Sequence, residues 1–219
     1  MKRDENLGGY SLRERIFRKI RDDILNGKYK SGDNLVVLKL ADEMGVSRTP
    51  LREAISQLEL EGLVTSIPNK GVIVEGISKQ DIEDMYAIRE SLEGLAARWS
   101  IMRIDENQLK ELENICELME FYTQKGDLDQ VGDLNSRFHD IIFEATKSRP
   151  LKQILSDFQY YVRAIRLASL KSPGRAQQSL AEHQAIVEAF RNKDADAAEI
   201  ALVKHIRNSN KNAQKVCQE

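Results

Sequence analysis

Leu40-Ala-Asp-Glu-Met-Gly-Val-Ser-Arg-Thr-Pro-Leu-Arg-Glu-Ala-Ile-Ser-Gln-Leu-Glu-Leu-Glu-Gly-Leu-Val64 decides the fold. It reads as two short helices joined by a tight turn. Leu40, Ala41 and Met44 make one apolar face at helical spacing. Gly45 can end that helix in a left-handed conformation, and Val46 points back into the hinge. Ser47 or Thr49 then caps a second helix that tolerates Pro50 in its first turn. Leu51, Ala54, Ile55 and Leu58 repeat at i, i+3, i+4, i+7 and face the first helix. Ser47, Arg48, Thr49 and Arg52 are left around the open start of the second helix, where hydroxyls and guanidinium groups suit phosphates and base edges in a major groove. An ordinary helical hairpin with a solvated charged end is the plain alternative.

Working outward, Leu63 to Ile67 and Val72 to Glu75 are β-prone runs separated by Pro68-Asn-Lys-Gly71, a hairpin with turn chemistry in its loop. A helix-turn-helix followed by such a hairpin is a winged helix, with Lys70 and Gly71 at the wing tip. Upstream, after a short polar arm, Ser11 caps a helix to about Asn26, with Leu12, Ile16, Ile20 and Ile24 in a stripe and Gly27 as its stop. Downstream, Gly76-Ile77 marks a domain boundary, because Ser78-x-x-Asp81 is a capping box that opens a new helix. The expected domains are residues 1–76 and 77–219.

Everything after the boundary reads as helix. The first carries Ile82, Met85, Ile88, Leu92, Leu95 and Trp99 as its stripe. Asp105-x-x-Gln108, Asp127-x-x-Gln130 and Ser179-x-x-Glu182 open others, a long helix covers roughly 150–170, and Asp194 caps the last. The expected fold is mainly α: a winged helix-turn-helix with a small β-hairpin, then an all-α antiparallel bundle.

The chain has 219 residues, 41% hydrophobic and 31% charged, which suits a folded globular protein rather than a disordered one. No apolar run reaches the ~18 residues of a membrane span, and no signal peptide is visible. Cys116 and Cys217 make no disulfide framework and fit a reducing cytoplasm. Residues 1–76 carry 13 Lys and Arg against 12 Asp and Glu; the rest carry 20 against 23. The first domain is therefore only +1, and its positive charge must be local.

The bundle holds the chain's three histidines. Asn135 and His139 are i, i+4 on one helix, beside the stripe of Val131, Leu134, Phe138 and Ile142. His183 falls between Leu180 and Val187, and His205 next to Ile206. Each points coreward from a different helix, where a divalent metal would satisfy all three, with the Asn135 carbonyl as a fourth ligand. Three unrelated core histidines are the alternative. A metal-dependent enzyme using the three histidines is a second functional class. No Glu or Asp is tied to them by a motif such as His-Glu-x-x-His, as a general base would require. A protein-interaction module is a third.

Val46-Ser-Arg-Thr-Pro-Leu-Arg-Glu-Ala-Ile, Leu58-x₂-Glu61-Gly-Leu-Val and Pro68-Asn-Lys-Gly-Val72 resemble the N-terminal domain of GntR-family transcription regulators. Phe138-His139, Glu182-His183 and His205-Ile206 resemble the helical ligand-sensing FCD domain of the FadR branch. The resemblance runs from about residue 10 to 210. It implies a cytoplasmic bacterial homodimer that binds a palindromic operator in double-stranded DNA through Ser47, Arg48, Thr49, Arg52, Lys70 and Gly71, as repressor or activator. It implies a divalent transition metal, zinc ahead of nickel or manganese, on Asn135, His139, His183 and His205. Many members have Asp where this chain has Asn135, and an amide binds a cation less strongly. A small organic acid effector is implied at the metal and at Arg89; an ion pair with Glu93 or Glu90 is the other use of Arg89. Many relatives also carry an arginine where this chain has Leu38, so that DNA contact is missing or passes to Lys39.

Overall fold

The computed structural model describes residues 11–68 and 70–216. The N-terminal polar arm, Asn69 of the wing turn and Cys217 lie outside the described residues. The chain divides into two compact units, one ending at Ser78 and one beginning at Lys79.

In the first unit, α1 is Leu12–Leu25, and Ser11 Oγ accepts from the Glu14 N–H at 3.2 Å. Its buried stripe is Ile16, Phe17, Ile20 and Ile24; Leu12 is half exposed. α2 is Val37–Met44 and ends on Gly45 at φ 65°, the left-handed turn its sequence requires. α3 is Arg48–Leu60 and buries Leu51, Ala54, Ile55 and Leu58. β2 (Val64–Ile67) and β3 (Gly71–Val74) form the wing, with Val64 opposite Val74 and Ile67 opposite Gly71. A strand the sequence did not suggest, β1 (Asn34–Leu35), pairs with β3 on its other side, giving the order β1-β3-β2. Two residues are too short to show an alternating pattern.

In the second unit, α4 (Lys79–Ile101), α5 (Glu106–Lys125), α6 (Leu128–Ala145), α7 (Arg149–Leu170), α8 (Arg175–Arg191) and α9 (Ala195–Val216) make the bundle, and no strand follows β3 among the described residues. Asp105 and Gln108 complete a capping box, Asp127 Oδ1 accepts from Gln130 N at 3.2 Å, and Asp194 Oδ1 accepts from Ala197 N at 2.9 Å. Leu112, Met119, Phe138, Ile142, Leu155, Ile186, Phe190 and Leu202 fill the core. Full burial of each such side chain stabilises by ~1.5–3 kcal/mol.

Two expectations are corrected. α8 begins at Arg175 behind a left-handed Gly174, not at Ser179. The Pro173-Gly174 turn resets the chain, so Ser179 is already inside the helix and buried. In α4, Ile88 and Leu95 face outward; the inner face is Ile82, Tyr86, Arg89, Glu93, Ala96 and Ala97. Polar side chains that find partners on other helices share that face, which apolar periodicity cannot register.

Candidate metal centre and nucleic-acid interface

His139 on α6, His183 on α8 and His205 on α9 meet in the core, at most 2% exposed. Their ring centroids lie 4.5 Å (His183–His205), 5.2 Å (His139–His205) and 5.9 Å (His139–His183) apart. Each Nδ1 has an acceptor: Glu93 Oε2 at 2.8 Å for His139, the Ser179 carbonyl at 2.6 Å for His183, and Glu182 Oε2 at 2.8 Å for His205. Carboxylate and carbonyl oxygens only accept, so each neutral ring carries its proton on Nδ1. Every Nε2 is then a bare lone pair.

The three lone pairs converge. One ligand nitrogen from each ring lies within 4.8 Å of the others, the Nε2 atoms of His139 and His205 are 3.3 Å apart, and His183 Nε2 has no partner. With each ring's proton on Nδ1, no N–H lies between the facing Nε2 atoms of His139 and His205, so the arrangement is repulsive unless a cation joins them. Two nitrogens bound at ~2.0–2.1 Å with a tetrahedral angle would be about 3.3 Å apart, so the residues fit a metal.

Burial keeps the rings neutral. It lowers His183 well below the ordinary value, with the charges of His205 and His139 adding to the effect. It pulls His205 down to about 4 against the opposing hydrogen bond to Glu182, and it lowers His139 against the pull of Glu93. Burial opposes ionisation of Glu93 too, but Arg89 and His139 beside it outweigh that and hold the carboxyl at about 2. The two acids are thus anions that fix ring orientation and raise ring basicity, as carboxylates behind metal-bound histidines do. Both are spent on Nδ1 protons, which leaves neither placed as a general base.

Asn135 lies one turn before His139, is 3% exposed, and has an unpartnered Nδ2. Rotating the amide by half a turn would put its carbonyl oxygen there. Arg89 is committed to Glu93, with Nε at 2.8 Å and Nη2 at 2.7 Å from Oε1. Of its two sequence-level uses, the ion pair is the one seen. Sequence reading passed over Arg166 and Arg175, both buried, although Arg166 falls four residues after Val162 on the inner stripe of α7.

In the first unit, Ser47, Arg48, Thr49 and Arg52 are all exposed at the start of α3. Ser47 occupies the N-cap position, but its side chain makes no cap hydrogen bond and the first turn holds no acid. The open N–H groups and the positive end of the helix dipole therefore face outward. Lys70 is exposed on the wing, and its carbonyl accepts from Asn34 Nδ2 at 2.6 Å. Gly71 has φ 98°, and a Cβ there would stand 2.6 Å from Asn34 Oδ1, so the turn needs glycine. Leu38 is exposed on α2, and Lys39 leans toward Glu43 at 3.7 Å.

Residues 12–74 match the family model of bacterial regulatory proteins, gntR family, and residues 84–208 match the FCD domain model. The chain belongs to the GntR family. Among GntR-family relatives it is 29% identical to the transcriptional regulator YdhC of Bacillus subtilis over 93% of this chain and 92% of that protein. It is 25% identical to the transcriptional repressor RspR of Escherichia coli over 95% and 91%. The solved structure of E. coli McbR/YncC shares the fold, with TM-score 0.74 at 20% identity over 95% and 98% of the two chains. The chain is thus a GntR-type transcription regulator with an FCD domain, and its relatives are regulators rather than enzymes. No described helix is long and apolar enough to cross a membrane.

Proposed function

We propose that this chain is an effector-controlled regulator that binds a palindromic operator as a homodimer in the bacterial cytoplasm. The first domain reads DNA, and the helical domain dimerises and binds the effector. The DNA contacts are Ser47, Arg48, Thr49 and Arg52 at the open end of α3, with Lys70 and Gly71 at the wing. His139, His183 and His205 hold a divalent transition metal, zinc ahead of nickel or manganese, with Asn135 as a fourth donor. When bound, the metal supplies positive charge and an open coordination position to a small organic acid. Arg89 acts there through Glu93.

The observation that carries this reading is the convergence of three unprotonated Nε2 atoms in a buried core. Such a group costs stability in a purely structural role and is explained by a cation. Signal transfer rests on chain continuity. α4 carries Arg89 and Glu93 and begins five residues after the wing strand ends at Val74. A rearrangement of the Arg89–Glu93–His139 chain is thus felt on the helix that follows the DNA-reading unit directly. The coupling must be reciprocal: operator DNA changes effector affinity by the same factor as effector changes operator affinity. Fluorescence anisotropy on an operator fragment, with effector titrated over metal-loaded and chelated protein, tests the scheme. Equal operator affinity under all four conditions would reject it.

A further inference from the structure

α3 carries one charged group that the fold does not use. Leu51, Ala54, Ile55 and Leu58 make its buried face. Thr49, Arg52, Glu53 and Ser56 recur at i, i+3, i+4, i+7 on the opposite side, and all four are exposed. A helix that lies in a major groove turns that side toward the base edges. Two hydroxyls and a guanidinium suit such a face. A carboxylate there meets the repulsion of the phosphates that line the groove.

The other acids around α3 have structural work. Glu59 accepts from the Ser66 backbone N–H at 2.7 Å and from its hydroxyl at 3.2 Å, which ties the helix to the wing. Glu61, just past the helix end, lies 3.7 Å from Arg21 of α1. Glu53 makes no hydrogen bond or ion pair with another described residue. The positions three and four residues from it hold Thr49, Pro50, Ser56 and Gln57, so its own helix offers no cation to pair with. Acids support a helix dipole from the first turn, and Glu53 stands beyond the first turn of α3.

We propose that Glu53 is a specificity-determining residue that reads a cytosine in each operator half-site. This deepens the reading of α3 as the DNA reader and rests on it. A carboxylate only accepts hydrogen bonds, so it needs a donor on the base edge. In the major groove guanine offers two acceptors, and thymine an acceptor and a methyl group. Adenine offers a donor flanked by an acceptor. Cytosine offers its N4 amino donor with no acceptor on the same base. Glu53 therefore gains a hydrogen bond at cytosine and sets oxygen against an acceptor at the other three bases. Rejection of the wrong base counts as much as the bond to the right one. Repulsion from phosphates acts on any sequence, so the acid lowers affinity for DNA at large and recovers it where the cytosine stands. Arg48 and Arg52 supply attraction; Glu53 supplies a difference between sequences.

The test is selection from a duplex library with a randomised core by the full chain, by Glu53→Gln and by Glu53→Ala. Fluorescence anisotropy then measures affinity for the selected duplexes and for one unselected duplex. The side chain is exposed, so both variants should melt within about 2 °C of wild type. Wild type should select a cytosine at one fixed place in each half-site and lose about tenfold in affinity when it is replaced. Glu53→Ala should lose about tenfold on the selected duplex and cease to distinguish the four bases at that place. Glu53→Gln should move the preference to adenine, whose N6 and N7 match an amide. Both variants should bind the unselected duplex more tightly than wild type, by up to about fivefold at low salt. Base preferences unchanged in both variants, or a loss in Glu53→Ala that is equal on every duplex, would overturn the assignment. A selected sequence whose recognition only Arg48→Ala and Arg52→Ala impair would keep α3 as the reader and remove Glu53 alone. A wild type that selects no sequence would remove the reader and Glu53 together.

Discussion

Replacing Glu93 by Gln tests whether the histidine centre is held from behind. The Glu93 carboxylate accepts from Arg89 through Oε1 and from His139 Nδ1 through Oε2, with no exposure. A Gln has one carbonyl oxygen for these two donors, and its NH₂ would face whichever of them is left over. Glu93 is held at about 2 instead of the ordinary 4.5, a difference worth roughly 3 kcal/mol toward the ionised form at ~1.36 kcal/mol per unit. Removing one partner of a buried pair costs about 3–5 kcal/mol, so the two figures agree in order. In a bundle of this size the melting temperature should fall by about 10 °C. Zinc affinity should fall by about tenfold to a hundredfold, because the His139 ring loses the acceptor that orients it. The sign with pH follows from the depressed carboxyl. Its contribution is complete above the unfolded value near 4.5 and is lost as pH falls toward about 2, so the variant's stability should change less across that interval. A double variant, Arg89→Met with Glu93→Leu, should recover stability without recovering zinc affinity, since apolar side chains of similar size replace a buried pair at little cost. The assays are thermal melts of chelated protein and zinc calorimetry. A Glu93→Gln protein that melts within about 1 °C of wild type, or binds zinc equally well, would refute the reasoning.

Elemental analysis should give about one transition-metal ion per chain, sharply reduced in His139→Ala, His183→Ala and His205→Ala. Chelated protein should lose stability as pH falls from about 6.5 toward about 4, by roughly 3 kcal/mol for His205 alone, because the unfolded chain takes up protons that the buried ring refuses; flat melting temperatures over that range would contradict it. Arg48→Ala and Arg52→Ala should each weaken specific operator binding by about 1–3 kcal/mol if they meet bases, or lower the salt slope by about one if they meet phosphates; unchanged binding in both would remove them from the interface. Asn135→Asp should tighten zinc and weaken an anionic effector, since carboxylate and effector compete to neutralise one cation; calorimetry showing both tightened would exclude Asn135 as a ligand.

The helix-turn-helix was legible because its determinants are local: an apolar face, a glycine that must turn left-handed at φ 65°, and a wing turn closed by Gly71. The caps at Asp105, Asp127 and Asp194 were legible for the same reason. The meeting of the histidines was suggested by their inward phase on three helices. What orients them was not. Glu93 is 46 positions from His139 in the chain, and Glu182 is 23 from His205. No local pattern joins such pairs. The inner face of α4 was misassigned because Arg89 and Glu93 neutralise each other there, so polar residues occupy positions where periodicity expects apolar ones. Arg166 stood in phase with Leu155 and Val162 on α7, and a charged residue on a buried stripe was the available signal.

The two acids divide the work of the centre unequally. Glu93 is tied to Arg89 on its own helix, so its position is fixed within α4 and nothing outside the pair need hold it. Glu182 is shared among Arg175, His205 and Asn208, contacts that join α8 to α9, and its side chain retains 8% exposure. His183, between them, leans on a backbone carbonyl of its own helix, an acceptor that no other side chain has to hold in place. Of the three ring supports, the one at His205 is therefore the easiest to exchange. A carboxylate that replaces Glu182 at Arg175 leaves Glu182 two hydrogen bonds, from His205 and Asn208, whereas one that replaces Glu93 at Arg89 leaves Glu93 only the one from His139. In the proposed regulator the response should accordingly begin at the α8–α9 side and reach α4 second, through the metal-binding rings that α4 steadies.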